Sequence, residues 1–120
     1  MQVSVALQTL RLLRSQWYSE QEIADRQQAA LVDTMRHAVV HVPFYRKLGL
    51  PASQLQSQDD LQRFPLLTKR TLQESAGELI ADGLDRRQLP SSRTSGSTGE
   101  PTQTYFDKRS WALCKFALKI

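Results

Sequence analysis

Cysteine is nearly missing from this sequence: Cys114 is the single thiol in 120 residues. One thiol excludes an intrachain disulfide, which fits a reducing compartment, so the cytoplasm is the expected location. A nucleophilic cysteine would need a neighbouring base, and the residues around this one offer only lysines. On an apolar helical run it reads as a small core residue. Long hydrophobic runs are also missing, so no segment can cross a bilayer, and no secretory signal pattern is visible. Acids are absent from the first nineteen residues, which carry Arg11 and Arg14. That bias has a faint likeness to a mitochondrial presequence. Bases outnumber acids by 16 to 12, but they are scattered, with local groups only at Arg86-Arg87 and Lys108-Arg109. A nucleic-acid binder concentrates bases in a stripe with aromatics between them. The expectation is therefore a solvated basic surface, with neither nucleic acid nor membrane as partner.

What is present begins with helical periodicity. Residues 3–15 read as a first helix, with Leu7, Leu10 and Leu13 near one face. Ser19 and Glu22 form a capping box for a second helix that runs to about His41. Leu31, Met35, Ala38 and Val39 make its apolar stripe. Burial is expected against the first helix or the helix at 68–80. Pro43 ends the second helix, because proline disfavours helical geometry in the residue before it. Val42-Pro43-Phe44-Tyr45 then reads as a hydrophobic anchor rather than an aromatic ligand box, with a helical turn over Phe44–Leu48.

Ser57 and Asp60 cap a short helix ending before Pro65, and Thr68 caps another that runs to about Ile80. Asp82-Gly83 breaks the chain. Strands are expected at about 91–95 and 102–106, the second from the alternation of Thr102, Thr104 and Phe106 with Gln103 and Tyr105. Asp107 or Ser110 caps a terminal helix. His37 and His41 stand four apart on the second helix, a spacing that can place two imidazoles on one metal. Position 38 is alanine where the zinc-protease pattern needs glutamate, and no third ligand is evident. No metal site is expected, and His41 is expected to face the last helical carbonyls.

The densest chemistry lies between the strands. Thr94-Ser95-Gly96-Ser97-Thr98-Gly99-Glu100-Pro101-Thr102 carries five hydroxyls and two glycines in nine residues. Glycine allows close backbone approach to a ligand. Successive N–H groups with hydroxyls beside them suit a phosphate chain. A Walker loop needs lysine and then Ser or Thr after its last glycine, whereas Gly99 is followed by Glu100 and Pro101. The alternative reading of the same composition is a flexible Ser/Gly linker. The chain would then be a small helical interaction protein without catalysis.

The nine residues resemble the phosphate-binding signature of adenylate-forming enzymes, close to T-S-G-S-T-G-x-P. Upstream, Arg14-Ser15-Gln16-Trp17, His37-Ala38 leading into Val42-Pro43-Phe44-Tyr45-Arg46-Lys47, and Phe64-Pro65-Leu66-Leu67-Thr68-Lys69 follow in the matching order. From about residue 8 onward the chain resembles the N-terminal part of the phenylacetate–CoA ligase family, particularly its CapK-like branch. Because Arg14–Trp17 belongs to that resemblance, the acid-free start reads as part of the mature fold. Many members outside that branch have lysine after the motif's proline; Thr102 stands there in this chain.

The resemblance implies an α+β fold. A mainly helical segment over 1–82 would precede the hairpin carrying the phosphate loop and the start of the next helix over 90–120. Together they would form an incomplete piece of the large N-terminal domain. It implies that Thr94, Ser95, Gly96, Ser97, Thr98 and Gly99 hold the phosphates of ATP, accompanied by Mg²⁺, while a carboxylate is joined to AMP. Many members then pass the acyl group to coenzyme A. The adenine-binding segment, ribose-binding acid and catalytic lysine would lie downstream, so no residue here is assigned a catalytic role. Trp111, Leu113, Phe116, Ala117 and Leu118 would lack cover in such a fragment, and self-association through them is expected. The apolar helical run at 110–120 stops without a glycine or proline, which also reads as a fragment.

Overall fold

The computed structural model describes residues 5–94 and 101–117. Helix α1 spans Val5–Ser15, and α2 spans Glu20–His41. The start of α2 is fixed locally. The Ser19 hydroxyl accepts from the Glu22 N–H at 3.3 Å, and the Ser19 N–H donates to the Glu22 carboxylate at 2.8 Å. Two of the four orphan N–H groups of a helix start are satisfied this way. Val42 leaves α2 with φ −105° and ψ 115°, and Pro43 opens the single-turn helix α3, Pro43–Arg46. Proline suits that first position, since its missing N–H has no intrahelical partner there.

The corner between α2 and α3 is stitched to the segment after α4, the helix Lys69–Glu74 capped by Thr68. The Phe44 N–H donates to the Glu78 carbonyl at 3.0 Å, and the Asp82 N–H donates to the His41 carbonyl at 2.8 Å. Arg46 pairs with Asp82, and Lys47 reaches Glu78 at 2.6 Å. Helix α4 stops at Glu74 instead of running to Ile80 as the sequence suggests. Gly77 is a weak helix former, and the chain continues in turns in which the Glu78 and Leu79 N–H groups both donate to the Ser75 carbonyl. Gly83, at φ +76°, makes the expected break.

The core is small. Val32, Met35, Val39, Val42 and Leu55 are its buried hydrophobics among the described residues. Leu31, Tyr45, Leu50, Ala52 and Phe64 pack around the α2 side chains and Leu55. The expected partners of the α2 stripe are thereby corrected. Its cover is neither α1 nor α4 but the returning segment 50–64, which carries 3-10 helices at Ala52–Gln54 and Gln58–Arg63. The Arg36 guanidinium ties that segment down by donating Nε–H to the Leu55 carbonyl at 2.9 Å. Val32, which the expected stripe omits, is buried, whereas Leu31 is half-buried. The anchor reading of Val42–Tyr45 holds: the Tyr45 ring meets Phe44 edge-on at 5.2 Å and Phe64 at 5.7 Å.

The N-terminal half of α2, residues 20–30, is exposed throughout. Helix α1 packs instead with the last helix, α5, Lys108–Ala117. Cys114 is exposed on α5, which corrects its reading as a core residue. Ser110, Trp111, Ala112 and Leu113 of that helix are half-buried. The described fold is thus mixed: helical for most of its length, with one antiparallel hairpin.

Candidate functional site

The hairpin pairs two short strands across the hydroxyl-rich segment. Strand β1 is Ser91–Arg93 and β2 is Gln103–Tyr105. Ser91 faces Tyr105, Ser92 faces Thr104, and Arg93 faces Gln103. Side chains reinforce this register. Gln103 Nε2 donates to Ser91 Oγ at 3.0 Å, and Thr104 Oγ1 donates to the Ser92 carbonyl at 3.4 Å. At the far end the Phe106 N–H donates to the Pro90 carbonyl at 2.9 Å.

One further rung closes the base of the loop. The Thr94 N–H donates to the Thr102 carbonyl at 3.0 Å. The Thr102 N–H returns to Thr94 Oγ1, also at 3.0 Å. Thr94 therefore answers Thr102 with a backbone donor and a side-chain acceptor. Residues 95–101 must depart from and return to this one clasp. Of the six residues assigned to phosphate, Thr94 is described. Ser95, Gly96, Ser97, Thr98 and Gly99 lie outside the described residues.

The surroundings are basic and aromatic. Arg86 lies 4.9 Å over the Tyr105 ring and donates Nε–H to its hydroxyl. Asp107 accepts from the Arg109 and Ser110 N–H groups at 2.9 Å each, so it, rather than Ser110, is the cap of α5. The Ser110 hydroxyl and then its backbone N–H hold the Asp107 carboxyl below its ordinary value. The start of α5 sits at the Pro90–Phe106 end of the hairpin. A three-residue strand, about 10 Å long, separates it from the clasp. The dipole of α5 thus acts at the end opposite the loop, unlike arrangements in which a glycine loop opens directly into a helix.

The imidazoles of His37 and His41 lie against each other, with ring centroids 4.6 Å apart. Among the described residues no His, Cys, Asp or Glu group of three or more could hold a metal ion. Nor does His41 bond the last carbonyls of α2 as expected. Its own carbonyl accepts from Asp82, and its ring is occupied with His37.

Sequence reasoning missed the Thr94–Thr102 clasp, the Arg86–Tyr105 pair and the Arg36 tie. Two threonines flanking a glycine-rich turn could have signalled the first. The other two join residues 19 positions apart and had no local signature. No helix among the described residues is long and apolar enough to cross a membrane. No family model matches the chain, and no curated protein matches it.

Proposed function

We propose that this chain is the phosphate-loop portion of an AMP-forming carboxylate ligase of the phenylacetate–CoA ligase type, working in the cytoplasm. One observation carries the reading: a Thr-Ser-Gly-Ser-Thr-Gly run whose two flanks are drawn together by the Thr94–Thr102 clasp. A loop anchored at both ends loses less conformational freedom when it closes on a phosphate. Thr94 spends its hydroxyl on the clasp, so its role is to hold the loop's base. Ser95, Gly96, Ser97, Thr98 and Gly99 supply the donors. Backbone N–H and hydroxyl donors suit the charge of a departing pyrophosphate. The described flank carries no carboxylate cluster. Mg²⁺ would therefore come with ATP, bound mainly through phosphate oxygens and water. The carboxylic acid substrate and coenzyme A would be met by parts of the larger enzyme.

The test is titration of magnesium pyrophosphate and ATP into the 120-residue chain, followed by calorimetry and phosphorus NMR. Saturable binding is expected. It should weaken with Thr94→Val, which removes the clasp acceptor, and disappear with Gly96→Val. Acid-dependent exchange of pyrophosphate into ATP should be absent from this chain alone. Failure to bind, or equal binding by Gly96→Val, would sink the reading. The second reading, a helical interaction protein without catalysis, draws support from eleven large hydrophobics left exposed among the described residues. It predicts no pyrophosphate binding at all.

A further inference from the structure

Helices α1 and α5 are separated by most of the chain, yet they pack together. Neither contains an acidic residue. Between them they carry Arg11, Arg14, Lys108, Arg109 and Lys115. The acids of the N-terminal half lie elsewhere, beginning with Glu20 and Glu22 on α2. Arg11 and Arg14 have no acidic partner among the described residues.

With α5 in place, Leu7, Leu10 and Leu13 of α1 remain 45%, 57% and 41% exposed, and Trp17, just past its end, is 82% exposed. At 100° per residue the three leucines fall on one side of the helix. Leu12, also exposed, falls on the other side, where an open groove runs along Tyr18, Ile23 and Leu113. Apolar groups thus surround most of a short helix whose charges are all positive.

We propose that the α1–α5 end of the molecule docks onto an anionic lipid surface. A cationic helix with leucines and a terminal tryptophan beside its charges is the composition of interfacial helices. Phosphate headgroups would answer the unpaired arginines, while Leu7, Leu10, Leu13 and Trp17 enter the boundary region. The uniform positive charge favours an anionic lipid surface over a second copy of the chain. A second copy would set bases against bases across a two-fold contact. The inference departs from the expectation of no membrane partner, because only the fold unites the two acid-free helices. It is independent of nucleotide binding by the hairpin.

The test uses Trp111→Phe protein, in which Trp17 is the sole tryptophan. Vesicles of pure phosphatidylcholine are compared with vesicles in which a third of the lipid is phosphatidylglycerol. The Trp17 emission should shift to the blue with the anionic vesicles alone. The protein should co-sediment with them, and added salt should release it. Arg11→Glu with Arg14→Glu should weaken binding by about tenfold or more. Arg70→Glu with Arg87→Glu, the same charge change elsewhere, should weaken it far less. Circular dichroism checks that each variant keeps its helix content. The proposal is overturned by absent binding, by equal binding to neutral vesicles, or by equal loss in both charge variants. A concentration-dependent oligomer that itself shifts Trp17 without lipid would also overturn it.

Discussion

Leu55 has no exposed surface, and it is not part of any helix. It fills the side of α2 formed by Val32, Met35 and Val39, and its carbonyl is held by Arg36. Removing a buried leucine side chain costs the lost transfer energy plus the cavity left behind, about 2–5 kcal/mol. Leu55→Ala should therefore lower the urea midpoint strongly. Gln28→Ala, on the exposed half of α2, should leave it within about 0.5 kcal/mol. Equal effects from the two would mean that segment 50–64 does not cover α2. The glycines give a second comparison. Gly83 has φ +76°, and an added Cβ at Gly83 or Gly77 would meet nothing within 4 Å. Only backbone conformation separates them. Gly83→Ala should destabilise by about 1 kcal/mol or more, while Gly77→Ala should be neutral or stabilising by about 0.4–1 kcal/mol. A chemical denaturation pair measures both signs.

At the scale of elements, most starts were legible and most partners were not. Ser19 with Glu22, Ser57 with Asp60, and Thr68 all cap the elements read from sequence, because capping is satisfied within three or four residues. The end of α4 at Glu74 escaped prediction because the expected span ran through Gly77, a weak helix former. The cover of α2 escaped because periodicity reveals a stripe but not what lies on it. At the candidate site both strands were legible from the sequence, while the loop between them lies outside the described residues. The use of the Thr94 side chain as a clasp depended on hairpin register. The caps also make a pH prediction. Backbone N–H groups hold Asp60 and Glu22 below their ordinary values, from Gln56 and Ser57 in the first case and Ser19 in the second. Asp107 is lowered chiefly by the Ser110 hydroxyl. A carboxylate with a depressed folded value stabilises above its unfolded pKa, and loses that contribution as pH falls through the folded one. Helix content should therefore be flat near neutrality and fall from about pH 4 downward. Asp107→Asn keeps a capping acceptor that does not titrate, so α5 should lose less helix in acid. An identical acid profile for that variant, followed by circular dichroism, would contradict the assignment.

The whole molecule is more open than its length requires. Its radius of gyration is 16.4 Å, whereas a compact chain of this length has one of about 14 Å. Its accessible surface is 9305 Å², whereas a compact monomer of the same mass exposes about 6,600 Å². Five buried hydrophobics stand against eleven large exposed ones among the described residues, and both outer edges of the two-stranded sheet are unpaired. Tertiary packing supplies most helical stability in proteins, and here it is concentrated around the second half of α2. The remaining elements should open at low cost, independently of that centre. Amides of residues 32–42 should exchange slowest, while those of α1 and the hairpin exchange far faster. Heating should give a broad transition, with an enthalpy well below the ~0.7 kcal/mol per residue of a fully packed domain. A hydrophobic dye should bind before the transition begins. Calorimetry, dye titration and amide exchange on one preparation decide the matter. A sharp transition with full enthalpy, no dye binding and uniform protection would show that the chain buries its apolar surface without a partner or a lipid layer. Both the small core and the membrane-facing α1–α5 surface would then be untenable.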